Sequence, residues 1–211
     1  MLTFSAQETL SLLEKSGARV VFTSSISHHL GDAESVTTNL VNPTVSLPDT
    51  PLSFTQSLRA FKLYGSTKLM NALTANRLST IAPSLKVTLV TPGFTATAIG
   101  SSDRSPDVFN PMNFLPLTFS PADGAAPLIA AAEPGFDAAR AANKMLQPYW
   151  IWDGAGAVLG NGMARGVFHN LVQEVLLQKL SPGLWLHEQS EVAKNTELQE
   201  RLWEWSSEMV K

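Results

Sequence analysis

Two short apolar runs, ARVVF at 18–22 and KVTLV at 86–90, flank a helical stretch at 58–80. That order leaves few folds open. Strands with so few polar breaks are covered on both faces, as central parallel strands are. Parallel neighbours need a crossover between them, and a helix supplies it. The expected class is therefore α/β, a parallel sheet with flanking helices. The helix carries Leu69, Met70, Ala72, Leu73, Ala75 and Leu78 as a broad apolar surface, and Pro83 closes it.

The rest of the chain is read around that unit. Residues 5–15 suit a helix that Gly17 ends, and ARVVFTSS follows as the first strand. Residues 27–57 read as mostly loop, with Pro43, Pro48 and Pro51, either lining a site or inserted without consequence. Residues 100–120 read as loop with short helical pieces. A helix is expected from Ser120, with Pro121 just inside it. PYWIWDG suggests an edge or terminal strand, and MARGVFHNLVQEVLLQKL a helix. The last helix, NTELQERLWEWSSEMVK, places Leu198, Leu202, Trp205 and Met209 on one side.

Composition narrows the function classes. With 211 residues, 44% hydrophobic and 16% charged, the chain suits a single domain, 1–211, around one core. The formal net charge is −3 and no basic block stands out, so nucleic-acid binding has no electrostatic support. Cysteine is absent, which removes disulfides, thiolate nucleophiles and thiolate-ligated metals. The N-terminus lacks the pattern of a secretory signal, and no apolar run is long enough to span a bilayer. The expected location is cytoplasmic. His28 and His29 stand in a polar stretch and read as surface or loop contacts, and no metal site is expected.

Three features carry candidate chemistry. Tyr64 and Lys68, in LYGSTKLMNAL, are four residues apart and share a helical face. A phenol is a poor proton donor at neutral pH, and a neighbouring ammonium stabilises the phenolate. On spacing alone, solvated or helix-packing residues are the plainer account of the pair. Ser24, Ser25 and Ser27, in TSSIS, follow the first strand, where ligands of open sheets tend to bind; a polar turn is the plainer account. TPGFTATAIG at 91–100 follows the second strand. There Pro92 and Gly93 turn the chain, and Thr95 and Thr97 offer hydroxyls that either meet a ligand or cap the loop.

The three features occur in one order, each on a suitable element. Together they resemble the short-chain dehydrogenase/reductase family, in its retinol-dehydrogenase-like branch. GARVVFTSSISHH is similar to the family's fifth strand and implies Ser25 as the catalytic serine. YGSTK is similar to its active-site signature and implies Tyr64 as acid/base, with Lys68 as its partner and ribose contact. The Pro-Gly loop implies Pro92, Gly93, Thr95 and Thr97 as contacts on the nicotinamide side. LWEWSSEMV is similar to the branch's closing helix. The resemblance implies NADP or NAD as cofactor and carbonyl–alcohol interconversion on an apolar small molecule, in secondary or lipid-like metabolism. The segments 27–57 and 100–120 would shape substrate choice.

The family's early glycine-rich turn, T-G-x-x-x-G-x-G, does not occur in this sequence, nor does its N-A-G segment. The glycines of DGAGAVLGNG lie far downstream, outside a strand–turn–helix setting. The resemblance therefore implies the C-terminal portion of a short-chain dehydrogenase, a partial Rossmann-like sheet truncated before its cofactor cradle. Implied partners are a small-molecule substrate and either a second copy of this chain or a chain that supplies the missing half. Two other readings stay open: a catalytically inactive remnant or interaction protein, and a hydrolase at Ser25. The hydrolase reading has no G-x-S-x-G elbow behind it.

Overall fold

The computed structural model describes residues 7–41, 54–93, 95, 121–148 and 184–209. Helix α1 (Gln7–Ser16) leads into strand β1 (Arg19–Thr23), a 3₁₀ segment (Ile26–Leu30) and helix α2 (Ala33–Val41). The long helix α3 (Phe54–Ile81) precedes β2 (Lys86–Val90), and α4 (Pro121–Ala132) precedes β3 (Lys144–Pro148). Strand β4 (Leu184–Glu188), a second 3₁₀ segment (Glu191–Lys194) and α5 (Thr196–Glu208) follow.

The sheet order is β1-β2-β3-β4. The first three strands are parallel, with Thr23 opposite Val90 and Val90 opposite Leu146, while β4 runs antiparallel to β3. The chain is thus α/β, with an open, mostly parallel sheet and flanking helices. Alternation along the strands sorts their side chains into two layers. Val20, Phe22, Val87, Leu89 and Met145 face α3 and α5, where Leu69, Leu73, Leu78, Leu198 and Leu202 complete the larger core. Val21, Val90 and Leu146 face α4 and pack with Leu128 and Ala131.

Local chemistry sets the element ends. Gly17, at φ 60°, takes the left-handed position after α1; Ala18 N–H reaches Leu13 O and Gly17 N–H reaches Glu14 O. That pair of bonds satisfies the last carbonyls of the helix. Asp32 starts α2 by accepting from the Ser35 N–H at 2.6 Å. Arg19 donates to the carbonyls of Pro134 and Phe136, tying β1 to the chain that leaves α4. A buried amide cluster joins α3 to the C-terminal segment. Asn76 Nδ2 donates to Gln189 Oε1 and Ala193 O, Gln189 Nε2 donates to Lys144 O, and Gln199 Nε2 donates to Ala193 O.

Several expectations are corrected. Residues 27–57 are not mostly loop: they hold a 3₁₀ segment, α2 and the first turn of α3. The prolines that suggested a loop, Pro43, Pro48 and Pro51, lie outside the described residues, and the capping by Ser25 and Asp32 starts the helical pieces before them. ARVVF, expected as a central strand, pairs on one side only among the described residues and is half buried. Of PYWIWDG, only Pro148 falls in a described strand; β3 begins four residues earlier, at Lys144, where Lys144 and Gln147 mask the apolar pattern. Met209 is exposed rather than packed beside Leu198 and Leu202. The expected helix over MARGVFHNLVQEVLLQKL and the expected loop at 100–120 lie outside the described residues.

Candidate active site

Parallel pairing brings the carboxyl ends of β1 and β2 to one edge of the sheet. The chain leaves them in register: Ser24 N–H donates to Val90 O at 2.7 Å, and Thr91 N–H donates to Leu146 O at 2.8 Å. The site is assembled where these exits meet α3.

Two hydrogen bonds pin the end of β1 to α3. The buried Ser24 hydroxyl donates to Lys68 O at 2.8 Å, and Asn71 Nδ2 donates to Thr23 O at 2.9 Å. A pair of glycines then lets the following 3₁₀ segment lie on the helix. A Cβ on Gly65 would stand 2.6 Å from Ser27 O, and one on Gly31 would stand 2.9 Å from Leu69 Cβ and 3.0 Å from Gly65 O. Gly65 is the unassigned second residue of YGSTK. A glycine inside a helix interior is disfavoured by about 1 kcal/mol relative to alanine, and here the close approach of another backbone explains it.

Ser25 lies between these anchors. Its backbone is extended, and its Oγ accepts from Ser27 N–H at 3.2 Å as the cap of the 3₁₀ segment. One lone pair is engaged in this way, and the hydroxyl hydrogen has no acceptor among the described residues. Ser24, by contrast, has committed its hydrogen to Lys68 O. The two adjacent serines are thus divided into a buried anchor and an available donor.

Tyr64 and Lys68 leave α3 on the same side. The Lys68 ammonium stands 5.5 Å from the Tyr64 ring centroid, within cation–π range. The hydroxyls between them fold back onto the helix, Ser66 to Lys62 O and Thr67 to Tyr64 O. Within YGSTK, then, the phenol and the ammonium are the groups that project. Tyr64 is 45% exposed. Lys62, nearby in sequence, is paired with Asp32 at 2.6 Å. The Lys62 ammonium and the Ser35 N–H hold the Asp32 carboxyl down to about 2. Lys68 forms no ion pair among the described residues.

On the β2 side, Gly93 has φ 67°, a turn that favours glycine, and its N–H donates to Thr91 Oγ1 at 3.2 Å. Thr95 Oγ1 donates to Pro92 O at 2.9 Å, and α4 approaches it so closely that a Cβ on Gly124 would run into that hydroxyl. The Thr95 hydrogen is therefore engaged within the loop, leaving the oxygen as an acceptor. Thr97 lies outside the described residues. The structure brings Ser25, Tyr64, Lys68 and Pro92–Gly93 to the same end of the sheet.

His28 corrects a further expectation. It is fully buried rather than a surface or loop contact. Its Nδ1 lies 2.8 Å from Ser25 O, and its Nε2 accepts from Ser190 N–H at 3.1 Å. Ser24 was one of the three strand-end serines, but its role as an anchor was not read, and neither Gly65 nor a buried His28 was expected. Gly65 had a readable signal in its helical setting, whereas His28 is buried by a segment far away in sequence. No group of residues suited to a metal ion occurs among the described residues. Nor is any described helix long and apolar enough to cross a membrane. No protein-family model, curated protein or solved structure matches the chain.

Proposed function

We propose that this edge is the carbonyl-handling side of an NAD(P)-dependent oxidoreductase site of the short-chain dehydrogenase/reductase type, built on a Rossmann-like sheet and acting on an apolar small molecule. The observation that carries the reading is the bond from Ser24 Oγ to Lys68 O. It fastens the strand end bearing Ser25 to the helical turn bearing the ammonium, one turn from Tyr64. The left-handed turn at Gly93 on the neighbouring strand supports the same reading.

The residues fit the sugar-and-amide end of a nicotinamide cofactor. Among the described residues Lys68 pairs with no carboxylate, which suits its ammonium to ribose hydroxyls, and the Pro92–Gly93 turn leaves the neighbouring strand at the same end of the sheet. Bound there, the nicotinamide supplies the hydride. Ser25 keeps its Oγ lone pair on Ser27 N–H and donates its hydrogen to the substrate carbonyl oxygen. Tyr64 passes its phenolic proton to that oxygen as the alcohol forms. Lys68 stabilises the phenolate left behind, and the exposure of Tyr64 lets water restore the proton.

A second reading, a catalytically inactive chain, is favoured by the lack of a glycine-rich turn in the sequence. Without a pyrophosphate cradle, cofactor affinity falls severely. The test is carbonyl reduction by the purified protein at millimolar NADPH or NADH, with a panel of apolar aldehydes and ketones. The expected result is slow turnover that Tyr64→Phe lowers by about 100-fold or more. Turnover unchanged in Tyr64→Phe overturns the assignment of the acid, and no turnover with any substrate selects the inactive reading.

A further inference from the structure

We propose that His28 is the positioning residue for Ser25, a buried imidazole that holds the Ser25 carbonyl with one nitrogen and the Ser190 turn with the other. The inference rests on the reading of Ser25 as the residue that binds the substrate oxygen.

The hydrogen bonds dictate the form of the ring. Ser190 N–H can only donate, so Nε2 must present a lone pair. In a neutral imidazole the proton then sits on Nδ1 and is donated to Ser25 O, 2.8 Å away. The same carbonyl accepts the backbone N–H of His28 at 3.0 Å. Both acceptor positions of Ser25 O are thus filled by one residue, while Ser27 N–H holds its Oγ. Carbonyl and hydroxyl oxygen are both fixed, which restricts the directions in which the remaining hydroxyl hydrogen can point.

The surroundings keep the ring in that form. Burial pushes its pKa from 6.5 down to about 4; the Ser25 carbonyl opposes the shift, and His187 adds to it. His29 lies against His28 with ring centroids 4.1 Å apart, and His187 of β4 lies 5.5 Å from His29. The charged groups on the neighbouring elements are mostly paired among themselves: Lys62 with Asp32, Glu188 with Lys144 and Lys194, and Lys194 with Glu191. Among the described residues Lys68 is the cation of α3 that forms no ion pair. Protonation of Nε2 would place two N–H groups head to head at Ser190, so the charged ring cannot keep both contacts.

The two contacts can be separated by substitution in the full-length protein. His28→Asn places an amide where Nδ1 stands and keeps the donor to Ser25 O. His28→Gln reaches the Nε2 position and keeps the acceptor for Ser190 N–H. Three readouts apply: the ring tautomer from long-range 1H–15N spectra of the unsubstituted protein, the Ser25 carbonyl 13C shift in both variants, and kcat against KM at millimolar NADPH. The expected result is an Nδ1–H tautomer at pH 7 and a Ser25 shift retained in His28→Asn and displaced in His28→Gln. The kcat of His28→Gln falls by about 10- to 100-fold with KM nearly unchanged, and that of His28→Asn stays within about threefold.

An Nε2–H tautomer overturns the proposal, even if both variants fail to fold. So does a Ser25 shift that responds equally to the two substitutions, or an unchanged kcat in His28→Gln where turnover is measurable. If the unsubstituted protein shows no turnover, the oxidoreductase reading fails while the tautomer and the Ser25 shift still decide the role of His28.

Discussion

At the scale of single residues, the neutral form of His28 has a thermodynamic signature. Its pKa is about 4 when folded against an ordinary 6.5. Between those values the unfolded chain binds a proton that the folded chain does not, so stability rises with pH across that window. Equivalently, stability is lost as pH falls from about 6.5 towards 4, by on the order of 3 kcal/mol in full. Asp32 acts in a separate, more acidic window, because its carboxyl is held at about 2. Chemical denaturation at a series of pH values should show the midpoint falling between pH 6.5 and 4 and a flatter profile for His28→Asn. Equal slopes in the two proteins would remove His28 as the cause. The sequence showed Tyr64 and Lys68 through their helical spacing, but it showed His28 only as one of two adjacent histidines in a polar stretch. Its burial depends on Ser190, 162 residues further on, and local pattern carries no record of that contact.

At the scale of elements, the contact of the first 3₁₀ segment with α3 depends on small residues on both sides. Replacing a helical glycine with alanine ordinarily stabilises by about 1 kcal/mol. Gly65→Ala should do the reverse, because its Cβ would press on Ser27 O, a backbone atom that cannot rotate away. The expected loss is about 1–3 kcal/mol, read as a lower Tm together with displaced NMR shifts at Ser25 and Ser27. A higher Tm would show that the segment lifts without strain. The elements themselves were unevenly legible. The alternation of β1 and β2 with α3 followed from apolar period and length. Strand β4, LWLHE, was missed because it is short and pairs with β3 across a gap in sequence of 35 residues, 149–183. The 3₁₀ segment and α2 were missed because their start signals are side-chain caps, at Ser25 and Asp32, in a stretch whose prolines suggested loop.

At the scale of the whole molecule, the C-terminal segment of the described chain closes on α3. Asn76 holds Gln189 and Ala193 from the C-terminal part of that helix, and Gln199 of α5 closes the cluster. Asn76→Ala removes the donor to the buried Gln189 Oε1, while Ala193 O keeps Gln199 Nε2 and Gln189 Nε2 keeps Lys144 O, so one buried acceptor is left with a desolvation penalty. The expected cost is about 2 kcal/mol, seen as a lower denaturant midpoint with an unchanged slope. A shift below about 1 kcal/mol would mean that water replaces the amide. The α/β class was legible at this scale, since it needs only the order of elements. The closure of the C-terminal segment over α3 was not, since it rests on individual amides whose partners are more than 100 residues distant.

The bond between His28 and Ser190 also bears on when the site comes into being during synthesis. Ser25, Tyr64 and Lys68 all leave the ribosome well before Ser190 does. At roughly 5–20 residues per second, the intervening 162 residues take on the order of 10–30 s to add. For most of that interval the nascent chain carries Ser25, Tyr64 and Lys68, yet lacks the turn that completes the anchorage of Ser25.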